Sequence, residues 1–236
     1  MPRKSSNSIL DRLPASQRKA LMARMQLTPL PVGKVLVRAG EIPEYAHFMI
    51  SGITSVVTYM KDGAAAEVGL IGKEGMVEAV NLLGSANSPT TAFVQVAGSA
   101  LRIPFVAIQT EAFASVPLLR EILEFVQRHN FTLTQIAACN GLHEIEERLA
   151  RWLLMVQDRV ESPKFDLTQE FLASMLGTRR TSVTLAAGSL QRRGLIKYSR
   201  GHIQVLDHAG LQDTACECYP IVRDLVDGDH RQPMTS

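Results

Sequence analysis

Cysteine is scarce in this chain and absent from its first 138 residues; Cys139, Cys216 and Cys218 are the full complement. Three thiols, all late in the sequence, are too few for the disulfide framework of a small secreted domain. Long apolar runs are lacking as well. Stretches such as "AHFMI" and "RWLLMV" fall far short of the roughly 20 residues that span a bilayer. No apolar core follows the basic residues of "MPRKSSNSIL", so no secretory signal is expected. Enzyme signatures are missing too: there is no GxSxG elbow and no HExxH helix. "GLIGKEG" resembles a phosphate loop but lacks the Gly-Lys-Ser/Thr ending and a following helix. These absences point to a soluble cytoplasmic protein that neither crosses a membrane nor catalyses a reaction, with no cofactor and no metal-ligand set expected.

What is present suits a folded chain. Its 236 residues allow one or two cores, and ordinary domain sizes favour two. With 46% hydrophobic and 20% charged residues it reads as globular rather than disordered. The net charge of +2 says little, but its distribution says more. Between Leu167 and Leu206 the cations Arg179, Arg180, Arg192, Arg193, Lys197 and Arg200 face the single anion Glu170, a net +5 that leaves −3 for the remainder. A basic C-terminal module on a mildly acidic body suits a protein that meets phosphates at one end. A charged stretch by itself is as often a solvated face.

Along the chain the patterns change twice. Residues 8–26 carry Leu10, Leu13, Ala20, Leu21 and Met25 at helical spacing, with Pro14 where a helix can begin, so one or two short helices are expected. From Val32 to Phe105, "GKVLVRAG", "HFMISGITSVVTYM" and "TAFVQVAGSALRI" are rich in β-branched residues and punctuated by glycines. They predict a compact antiparallel roll or barrel of many short strands, with glycines in its turns. After Pro117 the period becomes helical. Leu119, Ile122, Val126, His129, Leu133, Ile136 and Asn140 alternate at spacings of three and four, a narrow heptad seam that favours contact with a second chain over packing in the chain's own core. Gly141 is expected to end this helix, and "LHEIEERLARWLLMVQDRV" to form another, with Leu149, Trp152, Leu153 and Val156 buried. The expected domains are residues 1–116, a dimerisation helix at 117–140, and residues 141–236 with a C-terminal tail.

The stretch "LTQEFLASMLGTRRTSVTLAAGSLQRRGLI" at 167–196 holds two short amphipathic segments that pivot on Gly177. Asp166 or Thr168 can cap the first, which carries Phe171, Leu172, Met175 and Leu176 on one face, and Ala173 permits close crossing. Gly177 can take the left-handed conformation that ends a helix and turns the chain. In the second segment Val183, Ala187 and Leu190 point inward, while Thr181, Thr184, Leu185 and Gly188 lie opposite with Arg180 at the tip. Arg180, Thr181, Thr184 and Leu185 are the candidate base contacts, since arginine can grip guanine bidentately and threonine can meet a base edge or a thymine methyl. Thr168, Arg179 and Ser182 are placed to hold phosphates. "GLIKYSRGHIQVL" then predicts a β-hairpin that carries Lys197 and Arg200, completing a winged helix-turn-helix that binds double-stranded DNA.

In this order, the glycine-rich roll, the seam helix, "LTQEFLASMLGTRRTSV" and "GLIKYSRGHIQV" resemble the Crp/Fnr superfamily of bacterial transcription regulators along nearly the whole chain. The resemblance implies an α+β fold: an N-terminal antiparallel β-roll (the double-stranded β-helix of cyclic-nucleotide-binding domains), a long dimerisation helix and a C-terminal winged helix-turn-helix. It further implies a homodimer on a palindromic operator, within a subgroup whose effector is often unassigned. Two departures follow from the residues. Cyclic-AMP-responsive members present Arg-Glu at the start of the recognition helix and Arg four residues after that Glu; here those positions are Arg180, Thr181 and Leu185, so a different half-site is expected. The family's nucleotide pocket uses Gly-Glu for ribose and Arg-Ser/Thr for the cyclic phosphate. The corresponding segment "GKEGMVEAVNLLGSANSPTTAFV" supplies Gly75, Met76, Val77, Glu78, Ala79, Thr90 and Thr91, with Glu78-Ala79 at the first pair and Thr90-Thr91 at the second. No arginine lies between Lys73 and Arg102, so a phosphodiester would lose its charge-assisted bond and meet Glu78.

Other switches have less behind them. Iron–sulfur members carry an N-terminal cysteine cluster that is absent here. A haem ligand would have to come from His47, His129 or Cys139, and histidines without such a role are commoner. Cys216 and Cys218 suggest metal binding or oxidation sensing, but the sequence offers no evident partners for them. His129 is better read as a satisfied interface residue than as a pH sensor. RNA polymerase stays open as a partner, with no motif for it readable, and the small-molecule effector is unassigned. The rival readings are a cyclic-nucleotide- or redox-responsive regulator of the same family, or a ligand-binding docking module that does not bind DNA.

Overall fold

A computed structural model of the chain describes residues 7–84 and 87–228. The basic N-terminal residues 1–6, and Ser85 and Ala86 of the pocket segment, lie outside the described residues. The chain forms two compact units, one of residues 1–58 and 69–128 and one of residues 59–68 and 129–236.

The first unit opens with α1 (Ser8–Asp11) and α2 (Ala15–Met22). Asn7 caps α1, accepting from Leu10 N–H, and its amide donates to the Met49 and Gly75 carbonyls at 2.9 Å each. This fully buried side chain therefore ties the helix to the sheet with its polar atoms satisfied. The sheet comprises β1 (Gln26–Leu30), β2 (Val35–Val37), β3 (Tyr45–Tyr59), β4 (Ala65–Ile71), β5 (Met76–Val77) and β6 (Thr91–Pro104). It runs β1-β6-β3-β4, with β2 on β6 and β5 on β3, and the pairs with β6 and β5 are antiparallel. The glycine-punctuated roll of the sequence is thus realised, but with a correction. β3 and β6 span 15 and 14 residues, not the many short strands expected.

Length and glycine are connected. Gly33, Gly40 and Gly63 have positive φ, as turns require, and Gly52, also at φ +77°, and Gly98 sit inside the long strands where the register shifts. A Cβ on Gly98 would overlap the Ser51 carbonyl and the Gly52 N–H, and one on Gly52 the Val96 and Ala97 carbonyls. Two backbones thus cross too closely for side chains, and one long bent strand takes the place of two short ones. Gly98→Ala is expected to destabilise the protein by about 1–3 kcal/mol, seen as a lower midpoint in urea unfolding; an unchanged midpoint would show that the strands part freely. β1 escaped notice because it contains Pro29. It lies at the end of the strand order, where a residue without N–H is tolerated.

Beyond β6 the chain turns into α3 (Phe105–Ala114), a helix that the strand-like reading up to Phe105 did not foresee, and then α4 (Val116–Leu142). Gly141 does not end α4. It lies inside the helix and is not among the glycines with positive φ, and glycine stops a helix chiefly by taking that conformation. The core of this unit joins Ile9, Leu10, Phe48, Met76, Ile103 and Ile108.

In the second unit α5 (Ile145–Val160) begins with a reciprocal capping box between Glu144 and Glu147. It buries Leu149, Trp152, Leu153 and Val156, the stripe read from the sequence. The buried Trp152 indole donates to Glu67 Oε1 at 2.8 Å. There follow β7 (Lys164–Asp166), α6 (Gln169–Met175), α7 (Arg180–Arg192), β8 (Ile196–Ser199) and β9 (His202–Val205). After the wing come α8 (His208–Thr214) and α9 (Cys218–Asp227), the latter burying Cys218, Tyr219 and Val222; residues 229–236 of the expected C-terminal tail lie outside the described residues. Among the described residues no helix is long and apolar enough to cross a membrane.

Candidate nucleic-acid interface

The turn between α6 and α7 follows from two residues. Thr168 caps α6, its hydroxyl accepting from Phe171 N–H at 3.1 Å. Gly177 ends it with φ +57°, and Thr178 N–H reaches back to the Ala173 carbonyl at 2.9 Å. Leu172, Ala173, Met175 and Leu176 are buried on one side of α6, and Val183, Ala187 and Leu190 on the facing side of α7. What remains outside is the set singled out above. Arg179, Arg180, Thr181, Thr184 and Leu185 are exposed, Leu185 at 75%, and Ser182 is half-buried. Among the described residues the Arg180 guanidinium has no hydrogen bond or ion pair; α7 has no side-chain cap, and Ser182 N–H turns back to the Arg179 carbonyl at 3.0 Å. Thr184 differs: its hydroxyl lies 2.9 Å from the Arg180 carbonyl and 3.0 Å from Gln169 Oε1, so it offers the outside an acceptor rather than a donor. Gln169 was missed from the sequence. Nothing in its spacing marks it, because the contact joins two helices.

The wing has three strands, not two, in the order β7-β9-β8. Its tip is a two-residue turn in which Arg200 and Gly201 have φ +49° and +85°, the pattern of a type I′ hairpin that matches strand twist. Lys197 and Arg200 are exposed. Tyr198 fixes the wing in place: its N–H donates to Gln191 Oε1 of α7 at 2.8 Å and its hydroxyl to the Leu167 carbonyl at 2.9 Å. Burial pushes the Tyr198 phenol up, and the nearby Arg180 charge opposes that shift. His202 Nδ1 meets Asp166 Oδ1 at 2.6 Å across β9 and β7.

In the roll, Glu78 takes a left-handed conformation at φ +68°, at the start of a 3₁₀ turn over Ala79–Leu83. It is 7% exposed. Burial raises its carboxyl to about 7, opposed only by a hydrogen bond with Ser88, and among the described residues no cation acts on it. Gly75, Met76, Val77 and Ala79 pack inside. Thr91 accepts from Ala39 N–H at 3.1 Å, and Ser88 donates to the Thr90 carbonyl at 3.0 Å.

The profile of the cyclic nucleotide-binding domain family matches residues 27–112, and that of the Crp-like helix-turn-helix domain matches residues 147–214. The chain belongs to the Crp/Fnr family of transcriptional regulators. As a Crp/Fnr regulator it has a helix-turn-helix DNA-binding domain. Its fold is similar to that of a Crp/Fnr-family transcriptional regulator from Eubacterium rectale, with TM-score 0.69 and 17% identity over 89% of this chain and 99% of that one. It is similar also to a CRP-family transcriptional regulator of Thermus thermophilus, with TM-score 0.69 and 20% identity over 80% and 96% of the two chains. A third likeness is to the c-di-GMP-responsive global regulator CLP of Xanthomonas campestris, with TM-score 0.67 and 17% identity over 81% and 99%. At these identities the likeness is one of fold. Comparison with curated proteins gives no match.

In this Crp/Fnr regulator the long helix carries two apolar stripes. Leu118, Ile122 and Phe125 are buried in the chain's own core, Ile122 completely. Leu119, Val126, His129, Leu133 and Ile136 are half-buried, and Val116, Leu123 and Phe131 are exposed at 80%, 41% and 48%. Ile122 is therefore not available to a second chain. Leu119 and Val126 also pack partly against that core, so the residues at alternating spacings of three and four that the fold exposes wholly or in part are Val116, Leu119, Leu123, Val126, Asn130, Leu133 and Ala137.

Proposed function

We propose that this regulator acts in the cytoplasm as a homodimer on a two-fold-symmetric operator, with one α7 in each of two major-groove segments about 34 Å apart. Arg180, Thr181, Thr184 and Leu185 face base edges; Thr168, Arg179, Ser182, Lys197 and Arg200 hold phosphates. The observation that carries this reading is the Arg180 guanidinium, unpartnered among the described residues and exposed at the tip of α7 beside Thr181 and Leu185. The protomers join along Val116, Leu119, Leu123, Val126, Asn130, Leu133 and Ala137. In such a seam one asparagine among apolar residues favours a parallel, in-register pair.

The effector is not cyclic AMP. A cyclic phosphate at Thr90 and Thr91 would find hydroxyls but no guanidinium, and the buried Glu78 would have to stay protonated beside it. The same objection applies to c-di-GMP, whose phosphodiesters are also anionic, although CLP responds to it.

Selecting sites from a random duplex pool with the full chain, without added ligand, is expected to return a palindrome that differs from the cyclic-AMP receptor's at the positions faced by Thr181 and Leu185. An asymmetric consensus, or none, would overturn the proposal. Leu123→Glu puts two like charges in the seam. It is expected to sediment as a monomer and to bind the selected site roughly 100-fold or more weakly, because the second half-site is no longer tethered. A variant that stayed dimeric would remove α4 from the interface.

A further inference from the structure

Three cysteines that are scattered in sequence meet in the second unit. Cys139 and His143 lie four residues apart at the end of α4, hence on one face, and Cys216 and Cys218 flank Glu217 where α9 begins. The thiols are buried, and the imidazole is half-buried. Cys139 Sγ lies 3.4 Å from Cys216 Sγ, Cys218 Sγ lies 3.6 Å from His143 Nδ1, and all four ligand atoms fall within 4.8 Å of one another. A tetrahedral ion with metal–sulfur bonds of about 2.3 Å and a metal–nitrogen bond of about 2.0 Å sets its sulfurs about 3.8 Å apart, and sulfur about 3.5 Å from nitrogen. The cluster lies within a few tenths of an ångström of that geometry in the two contacts given.

The surroundings point the same way. His143 Nε2 faces Glu217 Oε1 at 3.2 Å. A carboxylate there accepts a hydrogen bond from Nε2–H, which fixes the proton on Nε2 and leaves the Nδ1 lone pair turned toward the thiols, the usual support of a metal-bound histidine. Gln135 Nε2 donates to Cys218 Sγ at 3.1 Å. Arg151 is 1% exposed, its Nε has no hydrogen-bond partner, and its Nη1 meets the weak acceptor Met155 Sδ at 3.2 Å. Its charge acts on both Cys139 and Cys216. A buried guanidinium among neutral thiols is costly, and one beside an anionic metal–thiolate group is compensated.

We propose that Cys139, His143, Cys216 and Cys218 bind one zinc ion as a closed tetrahedral site that clasps the end of α4 to the start of α9. Three thiolates and an imidazole select zinc over hard cations, and four protein ligands leave no open position, so the role is structural. Binding releases the three thiol protons, and three thiolates on a dication leave one negative charge, which faces Arg151.

The test uses the full chain, reduced and stripped of metal. Titration with Co²⁺ is expected to saturate at one ion per chain, with thiolate-to-metal charge transfer in the near ultraviolet and tetrahedral d–d bands in the visible, both erased by Zn²⁺. Glu217 is exposed, so Glu217→Gln is expected to fold normally and keep the stoichiometry while weakening zinc about 10–100-fold in chelator competition. His143→Ala is expected to lose the tetrahedral spectrum. Absence of these bands, unchanged affinity in Glu217→Gln, or a Cys139–Cys216 disulfide forming equally fast with and without Zn²⁺ would each overturn the site.

Discussion

Arg180→Ala is expected to abolish operator-specific retardation while leaving weak, salt-sensitive binding to any duplex. A bidentate arginine–guanine pair contributes about 1–3 kcal/mol of discrimination, and the symmetric dimer proposed above would use it twice. The loss is then about 2–6 kcal/mol, or between about thirtyfold and about twenty-thousandfold in affinity for the selected site. The phosphate contacts proposed for Arg179, Lys197 and Arg200 are left in place by the substitution, so the steep fall of non-specific affinity with salt should persist. Arg180→Lys separates charge from geometry. A point charge restores general attraction but cannot donate the paired bonds, so recovery should be minor. An unchanged footprint in Arg180→Ala would remove α7 from the role of reading head.

Glu78→Gln should make the protein more stable at pH 8 and change little at pH 4.5. The folded carboxyl titrates at about 7, above its ordinary 4.5, because it is buried. The folded state therefore holds a proton that the unfolded chain has released, and the stability this confers is complete below 4.5 and lost as pH rises through about 7. A shift of that size corresponds to about 3 kcal/mol, which glutamine, unable to ionise, would not forfeit. His47 works in the opposite sense. Burial, with Lys34 and Arg102, holds it at about 4, so its contribution is intact above 6.5 and disappears as pH falls toward 4. Between 4.5 and 6.5 the two slopes oppose each other and should nearly cancel in the wild type. Urea unfolding across this range gives the check: a Glu78→Gln effect independent of pH would mean that the carboxyl is not titrating inside the roll.

The helix-turn-helix was legible because each of its signals is local. Thr168, Gly177 and the inward Val183, Ala187 and Leu190 lie within one short stretch, and each acts through spacing or backbone conformation. The long helix was legible but the division of its faces was not: Ile122 goes to the chain's own core and Leu119 and Val126 pack partly against it, because a helix with two apolar stripes is merged into one by a heptad count. The long strands, α3 and the contact between Gln169 and Thr184 were not legible, since each depends on which segments cross. The thiol cluster gave a partial signal. Cys139 and His143 stand one helical turn apart, but nothing in the sequence brings Cys216 and Cys218 to them.

The wing tip has a consequence for any attempt to harden this protein against heat. Arg200 stands at φ +49°, where a side chain costs about 1 kcal/mol or more and glycine or asparagine sits comfortably. A screen for thermal tolerance alone should therefore favour Arg200→Gly or Arg200→Asn, and each winner would have one cation fewer to lay on DNA. If Arg200 holds phosphate as proposed, heat tolerance and DNA affinity draw on the same residue, and substitutions for tolerance belong elsewhere in the chain.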